Sequence, residues 1–313
     1  MHLAPLTLTC PAPDPGPLPL QEPLDSAQFM AQARDWRAHL PAEITHAVAQ
    51  FRRHSHPSGA LLMRGLPVGA VPRTPSSPTE PTSKDLISER TLLAVASLLG
   101  EPVGYEPELG GRLVQNLVPT RANQHAQTST SSLVPLMFHT ETAFHPYRPA
   151  YLALLCLRGD ERAMTTLCSI NQVWPHLSRA TQRILFEPRF RTAIDQSFLN
   201  GRANQLGPPM AVLTTPHDPV MVFDEDLMVG TDPAADQALH ELGRAVAQCH
   251  SEINLTSGDL LIIDNARAVH GRSAYQPRFD GNDRWLQRTF VIEQLPLHAQ
   301  DLHGRVITTQ FGQ

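Results

Sequence analysis

Hydrophobic and polar positions follow a helical spacing in some parts of the chain and form short apolar runs in others. Apolar residues recur at near-helical spacing over residues 27–53, with a break expected at Pro41, and again over residues 83–99. Further helices are predicted at 176–186 and 232–249. Short apolar runs closed by glycine, proline or polar residues predict strands at 59–66, 151–156, 211–214, 220–223, 259–264 and 288–293.

This order of elements predicts a mixed α+β fold, in which short strands form a sandwich or barrel and the helices lie outside it. Residues from about 25 to 100 are expected to form an N-terminal helical layer. Residues 120–132 are rich in Thr, Ser, Gln and Asn and nearly free of aliphatic side chains, which is typical of a mobile loop. Residues 120–137 are therefore a candidate lid for any site formed just after them.

Composition narrows the classes of protein. A chain of 313 residues that is 41% hydrophobic can bury a large core, and one domain over residues 1–313 is expected. The net charge of −5 gives no general attraction to nucleic acid or to a membrane surface, so neither is an expected partner. The absence of a recognisable leader or a long apolar run suggests a cytoplasmic protein. Cys10, Cys156, Cys168 and Cys249 are scattered, which argues for reduced thiols rather than a disulfide framework.

A metal site is suggested by three side chains. His139 and Glu141 are separated by one residue, so on a strand both would point to the same face. His270, which follows a predicted apolar strand and a turn, is the candidate third ligand. Two histidines and one carboxylate leave three coordination positions open, which suits iron(II) that binds O₂ together with a bidentate co-substrate. An isolated H-x-E triplet can also arise by chance, so the hypothesis depends on a second feature.

Arg284, fourteen residues after His270, is that second feature. A guanidinium can hold a carboxylate through two parallel charge-assisted hydrogen bonds, which lysine cannot reproduce. A keto-dicarboxylic acid bound to the metal needs such a partner at its far end. A zinc hydrolase built on the same ligands would have no use for this arginine. An inactive jelly-roll binding protein is disfavoured because the ligands and the arginine are all present.

Four segments closely resemble the clavaminate synthase-like branch of the iron(II)/2-oxoglutarate oxygenases, within the TauD-like superfamily. They are residues 138–141 (FHTE), 143–145 (AFH) followed by Pro149 and Tyr151, 258–265 (GDLLIIDN) continuing to His270, and Arg272 through 277–288 (PRFDGNDRWLQR). The resemblance extends over most of the chain. It implies a distorted double-stranded β-helix, or jelly roll, with peripheral helices.

The resemblance also implies cofactors and site residues. Iron(II) would be held by His139, Glu141 and His270, with 2-oxoglutarate and O₂ as co-substrates. Arg284 would bind the 2-oxoglutarate carboxylate with the help of Thr166, for which Thr165 is a possible substitute because the alignment slips by one residue.

Substrate contacts follow from the same resemblance. Arg288 matches an arginine that pairs with the substrate carboxylate, the alternative being a surface salt bridge. Asp224 and Asp226 match a region placed against the polar or cationic end of an amino-acid substrate, the alternative being an ordinary acidic turn. Further candidates, for the α-amino group, are Gln115 and the lid residues Ser129, Ser131 and Ser132.

The resemblance predicts a hydroxylase of amino acids or of small amino-acid-derived metabolites, acting on an unactivated C–H bond and releasing succinate and CO₂. Free amino acids, carrier-protein-bound amino acids and cyclic dipeptides are all candidate substrates, and specialised-metabolite (antibiotic) biosynthesis is the expected setting. Glu141 argues against radical halogenation, in which a small residue replaces the carboxylate. Desaturation, cyclisation and epoxidation by the same cofactor chemistry stay open as alternatives.

Overall fold

A computed structural model describes residues 4–9, 27–199, 201–298, 301–309 and 311, so Cys10 lies outside the described residues. The helices are α1 (Ala27–Trp36), α2 (Ala42–His54), α3 (Ile87–Leu99), α4 (Ile170–Val173), α5 (Arg179–Ile184) and α6 (Pro233–Cys249). The strands are β1 (Leu6–Thr9), β2 (Ala60–Arg64), β3 (Glu101–Tyr105), β4 (Gln115–Leu117), β5 (Leu136–His139), β6 (Tyr151–Arg158), β7 (Met164–Ser169), β8 (Phe190–Thr192), β9 (Leu213–Thr214), β10 (Val220–Met221), β11 (Met228–Gly230), β12 (Ser251–Asn254), β13 (Leu260–Asp264), β14 (Ala268–Arg272), β15 (Trp285–Ile292), β16 (Leu302–His303) and β17 (Val306–Ile307). The predicted mixed α+β class is confirmed.

Most strands belong to two sheets. The larger sheet has the order β1-β2-β13-β6-β15-β3-β17-β16, with β4 also paired to β15, and the smaller has the order β12-β7-β14-β5. Two short pairs, β9 with β10 and β8 with β11, lie outside both sheets. Because neighbouring strands are distant in sequence, residues that are far apart along the chain meet on one sheet. In the smaller sheet β5 and β14 place His139 opposite His270.

Alternating side chains divide the interior into layers. On β15, Trp285 and Val291 pack with α1, α2 and α3 on the outer face of the larger sheet, whereas Leu286 and Phe290 face the smaller sheet. A third apolar cluster joins α6 to the outward-facing side chains Cys168 and Val269 of the smaller sheet. The buried Cys156, Cys168 and Cys249 are free thiols, as predicted. The space between the two sheets is where the polar side chains described below converge.

The longest predicted elements agree with the structure. The helical pattern over 27–53 forms α1 and α2, and Pro41 immediately precedes α2. The helix predicted at 176–186 is shorter, because α5 begins only after Ser178, whose side chain accepts a hydrogen bond from the Thr181 N–H. The predicted elements lack β1, β3, β4, β7, β8, β11, β12, β14, β16 and β17. In β7 and β14 polar residues interrupt the apolar pattern. Within the described ranges, no helix is long and apolar enough to cross a membrane.

Candidate active site

The three predicted metal ligands lie together. The His139 and His270 rings are 4.4 Å apart between centroids, and Oε2 of Glu141 lies 3.4 Å from Nε2 of His270 and 4.0 Å from Nε2 of His139. One ligand atom from each residue falls within 4.8 Å of the others. His139 Nδ1 lies 2.9 Å from the Met137 carbonyl, which can only accept a hydrogen bond. Nδ1 therefore carries the proton, and the Nε2 lone pair is available to a metal.

Glu141 reaches this position by a different route from the one predicted. The strand β5 ends at His139, and Glu141 lies in the following turn, where Thr142 has a φ of 49°. The strand explanation of the H-x-E spacing is therefore wrong for the glutamate. Asn265 instead holds its backbone: Oδ1 accepts the Glu141 N–H at 2.8 Å, and Nδ2 donates to the Glu141 carbonyl at 3.1 Å. This reciprocal contact joins the turn to the end of β13.

The protonation states fit a metal site. Burial raises the pKa of Glu141, but Arg288, His270 and His139 together bring it down to about 2, so the carboxylate is ionised. Burial and the neighbouring His139 lower the pKa of His270 to about 4, despite the opposing effect of Glu141, so its imidazole is neutral. Metal ligands must be deprotonated in this way. Two nitrogen donors and one carboxylate oxygen on one side of the site suit iron(II).

A cavity of about 150 Å³ opens beside these three side chains. Its lining contains several charged groups, which come from both sheets and from several loops. The charged residues around the three ligands are Glu108, Asp195, Asp224, Asp226, Arg272, Arg284 and Arg288. A buried or half-buried set of opposite charges of this kind is suited to binding a charged small molecule.

Arg284 lies immediately before β15, is buried, and lines the cavity. Its Nη2 lies 3.3 Å from Oγ1 of Thr165. Thr165 also lines the cavity, whereas the hydroxyl of Thr166 lies on the other face of β7, 3.0 Å from where a Cβ on Gly271 would sit. The structure thus presents Thr165 to Arg284 rather than Thr166, because successive side chains of a strand point to opposite faces.

Arg288 faces the same cavity and is only 5% exposed, which rules out a surface salt bridge. Its Nε donates to Oε1 of Gln115 at 3.0 Å, Nη1 lies 3.5 Å from both carboxylate oxygens of Glu141, and Nη2 pairs with Glu108. In the described part of the chain, Nε2 of Gln115 and Oε2 of Glu108 are buried without a hydrogen-bond partner. Burial raises the pKa of Glu108 to about 7, although Arg288 acts to lower it.

The sequence profile of the taurine catabolism dioxygenase TauD, TfdA family matches residues 20–290. The chain belongs to this family. The similarity extends to amino-acid hydroxylases. L-Lysine 3-hydroxylase of Catenulispora acidiphila is 38% identical over 292 residues, covering 91% of this chain and 82% of the relative. L-Asparagine oxygenase of Streptomyces coelicolor is 38% identical over 280 residues, covering 87% and 82%. Clavaminate synthase 2 of Streptomyces clavuligerus is 32% identical over 274 residues, covering 84% and 83%.

Solved structures agree with this assignment. Asparagine oxygenase in complex with Fe(II), 2S,3S-3-hydroxyasparagine and succinate has a TM-score of 0.85 at 36% identity, covering 91% of both chains. The non-haem iron oxygenase OrfP in complex with Fe, succinate and (3S)-hydroxy-L-Arg has a TM-score of 0.80 at 29% identity, covering 90% of both chains. This oxygenase is thus an iron- and 2-oxoglutarate-dependent enzyme of the amino-acid hydroxylase branch, and the resemblance inferred from its motifs is confirmed.

Asp224 and Asp226 of this TauD-family enzyme lie in the turn between β10 and β11. Asp224 is buried, and its Oδ1 accepts the N–H groups of Asp226 at 3.0 Å and Leu227 at 2.8 Å, as an ordinary turn residue would. Asp224 also lines the cavity, and it forms an isolated antiparallel β-bridge with His139. Burial raises the pKa of the Asp224 carboxyl, against the opposing effect of His139. Asp226 lies at the exposed edge of the same cavity.

Four other residues were given no role by the sequence interpretation. Glu108 and Asp195 line the cavity from separate loops, with no motif or spacing that marks them. Asn265 and Arg272 fall inside or next to segments that carry the family resemblance, so their positions could have drawn attention. Only the fold shows that Asn265 holds Glu141 and that Arg272 contacts the loop that precedes β5.

Proposed function

We propose that this oxygenase hydroxylates an unactivated C–H bond of a free α-amino acid, consuming 2-oxoglutarate and O₂ and releasing succinate and CO₂. His139, Glu141 and His270 would hold the iron, which when bound supplies the oxidation of the C–H bond by O₂. The observation that supports an amino-acid substrate is the buried Arg288–Glu108 pair beside Glu141. The pair offers one cationic and one acidic group at adjacent positions, as a zwitterion requires.

Recognition of the zwitterion follows from the unsatisfied groups of this cluster. The substrate carboxylate would bind the Arg288 guanidinium, and the ammonium would donate to Glu108, whose Oε2 is buried without a partner among the described residues. A buried polar group left without a hydrogen bond costs about 1–3 kcal/mol, so a ligand that supplies the missing partner gains a comparable amount. Nη1 of Arg288 lies 3.5 Å from Oε1 of Glu141, a proposed iron ligand. A substrate carboxylate bound to Arg288 would therefore place the α-carbon and the carbon next to it closest to the metal. This favours attack at C3, as in the relative named L-lysine 3-hydroxylase.

The co-substrate would occupy the other side of the cavity. Arg284 is buried, and none of the described carboxylates forms an ion pair with it, so its guanidinium is available to the far carboxylate of 2-oxoglutarate. Thr165 would assist through its hydroxyl, 3.3 Å from Nη2 of Arg284. Arg284 and Arg288 are four residues apart, so they project from the same face and hold the two ligands side by side.

The far end of the amino-acid substrate would meet acidic groups. Asp195, Asp224 and Asp226 all line the cavity. An amino or guanidino group is the natural partner of a buried carboxylate such as Asp224. A carrier-bound amino acid or a cyclic dipeptide lacks the free carboxylate that Arg288 would bind, and the relatives' names refer to single amino acids. A free basic amino acid is therefore the proposed substrate class.

The fold, the domain organisation, the lid and the biological setting are also proposed. The two facing sheets would form the distorted jelly roll, with the whole chain as one oxygenase domain and α1–α3 as its N-terminal layer. Residues 120–137, of which Thr128 and Ser129 line the cavity, would act as the lid. Specialised-metabolite biosynthesis is the proposed setting, supported by the similarity to clavaminate synthase 2.

The proposal is tested by anaerobic reconstitution with iron(II) and 2-oxoglutarate, followed by exposure to O₂ with a panel of amino acids. The panel includes lysine, ornithine, arginine, asparagine and leucine, each also as its N-acetyl and amide derivative, and both succinate and product mass are measured. A gain of one oxygen atom with a free basic amino acid, absent with its derivatives and in the His139→Ala variant, is the expected result. Turnover of the N-acetyl derivative at the same rate would contradict recognition through Glu108.

A further inference from the structure

Arg272 is a buried cation that joins the metal-binding strand to the lid. It ends β14, two residues after His270, and is 4% exposed. Its Nη1 donates to the Ser131 carbonyl, and its Nη2 donates to Oγ of Ser131 at 3.0 Å and to the Val134 carbonyl at 2.9 Å. Its Nε donates to the Ser273 carbonyl at 3.1 Å. One guanidinium therefore fixes two points of the loop that covers the cavity.

The same guanidinium lies beside the proposed 2-oxoglutarate site. Arg272 and Arg284 both line the cavity. Burial, and then the charge of Arg284, lower the pKa of Arg272 to about 10. Arg284 contacts Oγ1 of Thr165 at 3.3 Å, and Thr165 pairs with Arg272 across β7 and β14, so the two buried arginines lie near each other. Over the described ranges neither arginine forms an ion pair with a carboxylate. A carboxylate bound at Arg284 would reduce the repulsion between the two guanidinium groups.

The lid segment above Arg272 is folded on itself. The Gln124 carbonyl accepts the N–H groups of Ser132 at 3.3 Å and Leu133 at 2.9 Å, and the Ser131 N–H donates to the Thr128 carbonyl at 3.1 Å. These bonds hold the segment that includes Thr128, which lines the cavity. The position of Thr128 in the cavity wall therefore depends on the hydrogen bonds that Arg272 donates to Ser131 and Val134.

We propose that Arg272 is a positioning residue that couples the binding of 2-oxoglutarate to the ordering of the lid (residues 120–137). The inference rests on the proposed assignment of Arg284 to the 2-oxoglutarate carboxylate. Neutralisation of Arg284 by the co-substrate stabilises the neighbouring Arg272 in its contacts to Ser131 and Val134. The cavity wall formed by Thr128 is then held in place when 2-oxoglutarate is bound.

The coupling is measured by hydrogen exchange of the Ser131, Ser132 and Leu133 amides, followed by mass spectrometry on the iron(II)-loaded protein under anaerobic conditions. In the unaltered protein, 2-oxoglutarate is expected to slow this exchange about tenfold, the effect of one charged hydrogen bond. Arg272→Gln removes both the charge and the fork, so the slowing disappears and 2-oxoglutarate binds about tenfold more weakly.

Arg272→Lys separates the two contributions. Lysine keeps the positive charge beside Arg284 but cannot serve the Ser131 and Val134 acceptors in a fixed fork. Binding of 2-oxoglutarate should stay within about threefold of the unaltered protein. The lid amides should lose the slowing, and the KM for the amino acid should rise while the KM for 2-oxoglutarate does not. Arg278→Gln, which alters an arginine with a 55% exposed side chain, is the matched control and should behave as the unaltered protein.

Each outcome decides between the alternatives. The coupling would be overturned if 2-oxoglutarate slowed exchange of the lid amides in Arg272→Lys as much as in the unaltered protein. It would also be overturned if 2-oxoglutarate did not change this exchange in the unaltered protein. Failure of the unaltered protein to bind 2-oxoglutarate at all would instead overturn the proposed function. A thermal unfolding curve for each variant shows whether Arg272→Gln folds, and Arg272→Lys decides the question if it does not.

Discussion

Glu108 offers the sharpest test of how the amino acid is held. The change Glu108→Gln keeps the size of the side chain and an oxygen that accepts from Arg288, but removes the negative charge. A hydrogen bond to a charged group contributes about 1.5–3 kcal/mol, so loss of the ammonium–carboxylate contact should weaken amino-acid binding by about 10-fold to 100-fold. The KM for 2-oxoglutarate should change little, because Arg284 rather than Glu108 is its proposed partner.

The same contact predicts a pH dependence. Burial, opposed by Arg288, raises the pKa of Glu108 to about 7, so the neutral acid predominates in the empty pocket below that pH. A substrate ammonium favours the ionised form, so binding releases a proton and becomes tighter as the pH rises toward 7. Below the pKa the affinity should fall about tenfold per pH unit. The charge of Glu141 also raises the pKa of Glu108, so iron bound to Glu141 would oppose that effect and shift the inflection to lower pH.

Isothermal titration of the anaerobic iron(II)–2-oxoglutarate protein with the amino acid, between pH 5.5 and 8 and in two buffers of different ionisation enthalpy, measures both the affinity and the proton release. Glu108→Gln should flatten the profile and abolish the proton release. Glu106→Gln, which alters an exposed glutamate two residues earlier, is the control and should leave both unchanged. An unchanged affinity and pH profile in Glu108→Gln would show that Glu108 serves only to neutralise Arg288.

Three further predictions concern the other parts of the site. Arg284→Lys should raise the KM for 2-oxoglutarate about 10-fold to 100-fold in succinate-release kinetics, because an ammonium cannot form two parallel bonds to a carboxylate; an unchanged KM would remove Arg284 from the co-substrate site. Asn265→Ala leaves the Glu141 N–H and carbonyl without their buried partner, so it should lower the free energy of unfolding by about 2–4 kcal/mol in chemical denaturation and weaken metal binding in titrations. Asp224→Asn and Asp226→Asn should reduce the preference for basic over neutral amino acids in kcat/KM about tenfold, and a preserved preference would place the cationic end of the substrate elsewhere.

The site residues that could be predicted from the sequence lie in short segments, where the number of residues between two side chains and the period of a strand decide which face each one occupies. Arg284 and Arg288 are four residues apart at the start of β15, so the period of a strand places both on one face. His139 and His270 were found through their segments, although nothing local shows that β5 and β14 pair with the two histidines opposite each other. Strand β14, which was not predicted, carries His270 and Arg272 on its cavity face. Because polar residues occupy the inward positions, the sequence lacks the alternation of apolar and polar residues by which a strand is recognised.

Residues that depend on the register between strands could not be predicted in this way. Thr165 and Thr166 differ by one position, and a slip of one residue exchanges the two faces of a strand. The pairing of Thr165 with Arg272 and of Thr166 with Gly271 places the first threonine on the cavity side. Gly271 allows both neighbouring strands to approach β14, because a Cβ there would lie 3.0 Å from Oγ1 of Thr166 on β7 and 2.4 Å from the Leu136 carbonyl oxygen on β5. Which threonine faces the cavity therefore depends on how β7, β14 and β5 pack together. A local sequence motif does not contain this information.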